Sequence, residues 1–374
     1  MDPIAHTLTG AALAAAGLRR ATPLATAALI LGANAPDIDI VMAFAGDYAG
    51  LAHRRGWTHG ILAVLVLPFL LTGLLLLWER WVRRRQWPNS EPARAGPLLA
   101  VAALGVVSHP ILDWLNNYGL RWLMPFDGRW FYGDALFIID PWVWLVFGGV
   151  LCVGYSRRPI EIAAWLAFWL LASALVLLSG QVPPLAQGLW LAGIGVVLAA
   201  RLLGFGSSER APTLERATRA ALVVVGAYMA AAAAVNVPAR AEVRAELAMQ
   251  GIEAVDRVMV APVPGNPFGG SVVAQTAGGY YLGTWNWLGR PRFEPADRRI
   301  PRRLGEPAAA AAAETLAARR FLTWSRFPFA QIDWEEGGGY VVTFADARYV
   351  GMGGLLGGPT IRLDRHLQPV TLEQ

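Results

Sequence analysis

The run ILAVLVLPFLLTGLLLLW at Ile61–Trp78, followed by ERWVRRR at Glu79–Arg85, decides the fold. The run carries no charge and comes close to the ~20 residues that a helix needs to cross a bilayer. The arginines just beyond it, Arg80, Arg83, Arg84 and Arg85, mark its membrane end. Runs of comparable character lie at Pro97–Leu115, Pro141–Tyr155, Ile160–Ser179, Gln187–Leu203 and Ala217–Val235. Two shorter ones, Ile4–Leu18 and Pro23–Ala35, precede them as short spans, tilted spans or a re-entrant pair. The first does not read as a cleaved signal peptide, because Arg19-Arg20 follow its apolar stretch instead of preceding it.

Composition extends this reading to the whole chain. Of 374 residues, 55% are hydrophobic and 16% charged, with a mean hydropathy of +0.40; soluble domains average about 25% charged. Disorder and an ordinary soluble enzyme are both excluded. Residues 1–236 hold 17 Arg and 13 Asp/Glu, whereas the shorter stretch 237–374 holds 15 and 14. The chain therefore divides into a transmembrane helical domain (1–236) and a water-soluble domain (237–374). Every basic residue is Arg, which reflects codon or genome bias. The net charge of +5 sits in short clusters beside apolar runs, so membrane lipids are the expected partners and nucleic acid is not. Cys152 is the lone cysteine and no internal disulfide can form.

Short cytoplasmic loops are enriched in Arg. Placing Arg19-Arg20, Arg80 with Arg83–Arg85, Arg157-Arg158, and Arg201/Arg210/Arg216/Arg219 inside requires about eight crossings, with both termini outside. The expected fold is an all-α multi-pass membrane bundle followed by a small α+β extracytoplasmic domain. In that domain 257–263, 271–276, 280–285, 340–344 and 360–363 read as strands and 308–321 as one helix.

The costly polar residues collect in the first 113 positions: His6, Asp37, Asp39, His53, His59, His109 and Asp113. A mid-membrane Asp costs about 2.5–3.5 kcal/mol, so such residues line cavities or coordinate something. His109 and Asp113, spaced i,i+4, share a helix face and can reach one ion. Asp37 and Asp39 follow Pro36, which favours a break from helix in the residue before it. The arginine-based topology places all seven toward the outer side. A lone membrane His is more often a helix–helix hydrogen-bond partner; seven such groups on one side favour metal coordination. Imidazole plus carboxylate without thiolate suits zinc, manganese or iron. Arg54 or Arg55 can clamp an anion, and Asn34, Thr58 and Asn117 can orient ligands. Asp134 and Asp140 read equally as extra ligands or loop caps, and His366 as a surface residue.

The motifs Met1–Gly10 (MDPIAHTLTG), Pro36–Asp39 (PDID), His53-Arg54 with Thr58-His59, and His109–Asp113 (HPILD) with Tyr118-Gly119, in this order, resemble the YdjM-like membrane-bound metal-dependent hydrolases. Asp134–Trp142 extends the likeness, which covers roughly residues 1–145. The stretches Arg326–Pro328 and Asp346–Tyr349 look like the tail domain of a subset of that family. The resemblance implies a bacterial inner membrane protein distantly related to zinc-dependent phospholipase C and P1-type nucleases. It further implies a helical site to which His6, Asp37 or Asp39, His59, His109 and Asp113 contribute. The later His-rich helix of the phospholipase C pattern is absent, which points to one or two zinc ions instead of a full set of three.

The expected activity is metal-assisted hydrolysis of a phosphoester or lipid-linked substrate at the outer membrane face. Asp39, with Asp37 second, would orient the attacking water, and Arg54 would neutralise an anionic leaving group. A metal-ion or small-solute transporter and a non-catalytic metal-stabilised scaffold are the alternatives. No Gly-x-Ser-x-Gly elbow, Walker loop or dinucleotide fingerprint occurs.

Overall fold

The computed structural model describes residues 1–205, 211–252, 254–335, 338–350 and 357–370. Arg210, one of the arginines placed inside above, lies outside the described residues. In chain order the elements are α1 (Pro3–Ala15), α2 (Ala25–Asn34), a 3-10 segment (Ala35–Phe44), α3 (Ala49–His53) and α4 (Ile61–Trp78). A π-helical turn (Glu79–Arg83) leads α4 into α5 (Arg84–Gln86). Then follow α6 (Ala95–Trp114), α7 (Pro141–Tyr155), α8 (Pro159–Leu178), α9 (Pro184–Leu202) and α10 (Ala211–Met249). The remainder comprises β1 (Val255–Val263), β2 (Asn266–Thr276), β3 (Gly279–Asn286), β4 (Phe293–Ile300), α11 (Pro307–Ala313), α12 (Leu316–Trp324), β5 (Pro328–Glu335), β6 (Gly339–Asp346) and β7 (Thr360–Leu363).

Among the described residues, six helical stretches are long and apolar enough to cross a membrane: Ala25–Phe44, Ile61–Gln86, Ala95–Trp114, Pro159–Leu178, Pro184–Leu202 and Thr213–Met249. Six segments, not the expected eight, meet that length. With 13 and 15 residues, α1 and α7 extend about 20 and 22 Å, short of the ~30 Å hydrocarbon core. The long helices turn large apolar side chains outward: Leu65, Phe69 and Leu74 on α4, and Leu170, Leu171 and Leu178 on α8, are all exposed. Water would oppose so much exposed apolar surface; lipid does not.

The chain forms two compact units. The first comprises Met1–Ile38, Arg55–Asn236 and Ala261–Pro267; the second comprises Asp39–Arg54, Val237–Val260 and Phe268–Gln374. In the first, α1, α2 and α6 pack backbone to backbone through glycines. A Cβ on Gly10 would lie 2.7 Å from the Leu29 carbonyl oxygen, one on Gly105 2.8 Å from the same atom, and one on Gly32 3.0 Å from the Ala102 oxygen. Small residues at such crossings are how membrane helices gain packing without a hydrophobic driving force. Asp2 caps α1, accepting from the Ile4 and Ala5 amides at 3.0 Å each, and Pro3 takes its first turn. Asp140 and Pro141 repeat the arrangement at α7.

In the second unit the five expected strands are present as β1, β2, β3, β6 and β7, joined by β4 and β5. Strand orders are β1-β2-β3-β4 and β5-β6-β7. The single helix expected over 308–321 is two helices, because Thr315 adopts an extended conformation and caps α12 through the Ala318 amide. α3 packs on α12, with Tyr48 edge-on to Phe321 at 5.9 Å and Arg320 donating to the Asp47 carbonyl. The buried Asp346 carboxylate ties together the two tail stretches singled out above. It accepts from Ser325 Oγ and the Arg326 amide at 2.7 Å each and pairs with Arg348 at 2.9 Å.

Candidate metal centre

The glycine-mediated approach of α1, α2 and α6 brings distant sequence motifs together. α1 supplies His6, the first turn after α2 supplies Asp37, and α6 supplies His109 and Asp113 one turn apart. The fourth contributor, His59, sits in the tight turn that enters α4. The His59 and Gly60 amides both donate to the Gly56 carbonyl, at 3.0 and 2.9 Å, and the Ile61 amide donates to Trp122 O at 2.8 Å. Gly60 has to be glycine here, since a Cβ would stand 2.3 Å from the Met124 carbonyl.

One donor atom from each of Asp37, His59, His109 and Asp113 lies within 4.8 Å of all the others. His59 Nε2 and His109 Nε2 are 3.0 Å apart. Asp113 Oδ2 is 3.3 Å from the first and 3.6 Å from the second. Asp37 Oδ1 stands 3.9 and 3.8 Å from the same two nitrogens. The edge of a coordination tetrahedron with ~2.0 Å bonds is about 3.3 Å, and the observed separations bracket it. His59, His109 and Asp113 are fully buried; Asp37, with 15% of its side chain exposed, is the accessible member.

The surroundings aim these donors inward. His109 Nδ1 lies 2.6 Å from the Ala33 carbonyl, so it carries the proton and donates, leaving the Nε2 lone pair for the cluster. His59 Nδ1 lies 3.0 Å from Thr58 Oγ1, a contact that anchors the ring with its Nε2 toward the cluster. Two imidazoles and two carboxylates thus bring one donor atom each to the same place. The donor set therefore fits a divalent ion.

His6 is adjacent to the four. Its Nε2 lies 3.2 Å from Asp113 Oδ1 and its ring stacks on His109 with centroids 3.7 Å apart. The Met1 amino group also contacts Asp113 Oδ1. Arg55 contacts the cluster directly: its Nε is 2.8 Å from Asp113 Oδ2, its Nη1 donates to Asn116 Oδ1 at 2.9 Å, and its guanidinium covers Tyr118 at 4.4 Å. The sequence singles out Arg55 beside Arg54 as an anion clamp; Asn116 has no distinguishing signal in it.

The remaining expected residues lie elsewhere. Asp39, His53 and Arg54 belong to the second unit, where Asp39 pairs with Arg54 at 3.6 Å and His53 Nδ1 meets the Ala49 carbonyl. Asn34 bonds Thr7 and the Ile30 carbonyl. Asn117 is buried, and Asp134 is buried with its carbonyl bonded by Asn236. Asp140 is a helix cap that also accepts from Tyr228. His366 is exposed beside Arg365.

Known proteins place this constellation. Residues 1–182 match the family of the YdjM inner membrane protein. All of the gathered donors fall in this YdjM-like region, which makes up just under half of the chain. The uncharacterized protein YfhP of Bacillus subtilis (strain 168) is 26% identical over 129 residues. That alignment covers 34% of this chain, and the chain spans only 36% of the relative's length. No solved structure matches the chain. The YdjM-like match and the apolar helices together make this a membrane protein, and its buried Asp/His cluster can hold a divalent metal.

Proposed function

We propose that the YdjM-like unit is a metal-dependent hydrolase of the bacterial inner membrane, acting on a phosphoester or lipid-linked substrate at the outer face, with the second unit extracytoplasmic. The observation that carries the reading is the convergence of Asp37, His59, His109 and Asp113 on one point. These four would hold the ion, and zinc suits two imidazoles and two carboxylates. An ion held by these four would supply Lewis acidity and lower the pKa of a bound water toward ~7. The chain's own groups then divide the work. The Ala33 carbonyl holds His109 in the tautomer that coordinates, and Thr58 anchors the His59 ring. Arg55 fixes Asp113 and offsets its charge. Asp37, the accessible carboxylate, orients the attacking water and takes its proton. Asp39 and Arg54, expected in the water-orienting and anion-neutralising roles, take no part in this proposal.

A second reading follows from burial. Structural metal sites are closed whereas catalytic ones keep an open position, and three of the four donors are sealed from solvent. On that reading the ion holds the short N-terminal helices together as a scaffold. Metal content, thermal stability and turnover of a phosphoester and phospholipid panel should be measured on detergent-purified wild type, His59→Ala and His109→Ala. The hydrolase reading expects bound metal and turnover in wild type, both lost in the variants while the bundle stays folded. Metal without turnover, with unfolding on metal removal, supports the scaffold. Metal-free wild type after reconstitution with zinc or manganese refutes both, and uptake of metal by proteoliposomes would point to a transporter.

A further inference from the structure

At the far end of α4 lies a second site of different chemistry. Ile61–Trp78 covers about 27 Å at 1.5 Å per residue, close to the hydrocarbon thickness. The π-helical turn and α5 that continue it therefore reach headgroup depth, and Trp78, Trp81 and Trp87 are exposed there as interfacial indoles. A groove of about 570 Å³ opens at this point, lined by Glu79, Arg80, Arg84, Arg85, Pro88, Pro92 and Ala93.

Its charge is not balanced from within the protein. Glu79, the carboxylate in the lining, is buried and committed: it accepts from Arg83 Nη1 at 2.8 and 2.7 Å and from the Ala93 amide at 3.2 Å. Arg83 also donates to the Glu91 carbonyl, which folds the 87–93 loop back to form the groove wall. Arg80, Arg84 and Arg85 remain without an ion pair among the described residues; Arg80 and Arg85 lie over the Trp81 ring at 5.7 and 4.7 Å. Several other arginines of this unit are engaged among the described residues, Arg19 with Tyr155, Arg20 and Arg219 with Glu215, Arg158 with Glu161 and Arg201 with Ser156, although Arg216 is not. A solvated topology signal needs arginines but no shaped groove. Three unpaired guanidiniums around a groove, flanked by indoles at headgroup depth, match a phosphate diester carried on an acyl-chain anchor.

We propose that this groove binds the headgroup phosphate of an anionic phospholipid through Arg80, Arg84 and Arg85. The test is native mass spectrometry of the full-length protein extracted in mild detergent, with phosphatidylglycerol and phosphatidylethanolamine added at equal concentration. Wild type should retain phosphatidylglycerol selectively. Arg84→Gln/Arg85→Gln, which keeps Arg80 and Arg83 as topology signals, should bind it about 30-fold more weakly, because two of the three guanidiniums that face the phosphate are removed. Arg158→Gln, which removes a paired arginine elsewhere, should bind as wild type does. Equal retention of the two lipids by wild type, or unchanged retention by the double variant, overturns the proposal. Displacement of the lipid by millimolar inorganic phosphate also overturns it, since the groove would then be a site for the free anion. If the double variant fails to fold, the single variants Arg84→Gln and Arg85→Gln carry the test, each expected to weaken phosphatidylglycerol binding about 5-fold.

Discussion

Thr58→Val tests the metal centre without touching a donor atom. The substitution keeps a β-branched side chain and removes one hydroxyl, the hydrogen-bond partner 3.0 Å from His59 Nδ1. Losing it frees the imidazole to rotate its Nε2 away from His109, Asp113 and Asp37. Loss of such an outer partner typically lowers metal affinity 10–100-fold, or about 1.4–2.7 kcal/mol. The site should stay filled at saturating metal, because all four donors remain. Competition with a chelator of known affinity, run on the full chain in detergent, reads the affinity; elemental analysis reads the stoichiometry. Thr72→Val is the control: Thr72 is buried on α4 and is not part of the donor cluster, so its variant should bind metal as wild type does. Unchanged affinity in Thr58→Val would mean that the Thr58 contact does not orient His59, and the anchoring argument for that ring would fall with it.

Two further substitutions probe the framework. In Gly105→Ala the new methyl would meet the Leu29 carbonyl oxygen at 2.8 Å and that of Ala28 at 3.2 Å, so α2 and α6 must part. A loss of about 1–3 kcal/mol is expected, read as a lower unfolding temperature together with weaker metal binding. Gly73→Ala, with nothing within 4 Å of the added methyl, should show neither effect; identical melting of the two variants would refute the close-packing account. In the second unit Asp346 is fully buried. Burial alone would raise its pKa, but the Arg348 guanidinium overrides this and holds it below the ordinary value. A carboxylate depressed in the fold contributes stability above its unfolded pKa of ~3.9, and that stability is lost as pH falls through the folded value. Asp346→Asn leaves Arg348 buried without its partner and should cost about 3–5 kcal/mol. Hydrogen exchange across β5 and β6 should show protection at pH 7 that declines below ~pH 4 in wild type, and low protection at both pH values in the variant. A variant as protected and as acid-sensitive as wild type would show that the pair does not hold these strands.

What could be read from the sequence depended on whether a signal was local. Run length alone located five of the six long apolar stretches, Ala25–Phe44 reading only as the shorter run Pro23–Ala35, and the i,i+4 spacing alone put His109 and Asp113 on one face of α6. The expected count of eight crossings rests on arginine placement, which constrains parity; by length, six stretches among the described residues qualify, and α1 and α7 are shorter. Within the site, the sequence reading ranks Asp39 ahead of Asp37. They lie two apart in a 3-10 segment with 3 residues per turn, so their side chains diverge by about 240°, and only Asp37 joins the cluster. Arg54 and Arg55 looked equivalent. α3 ends at His53 with Arg54 as its cap, and Arg55 takes φ 54°, reversing the chain; Arg55 then pairs with Asp113 and Arg54 with Asp39. A left-handed residue without glycine leaves no mark in composition or periodicity. β4 and β5 went unread for a related reason. FEPADRRI and PFAQIDWE carry proline and charge at positions that break a period-two pattern, and their pairing partners, not their own residues, make them strands. The residues hardest to read were thus those whose direction is set by the backbone around them. In this protein, that direction selects Asp37 over Asp39 and Arg55 over Arg54 at the metal centre.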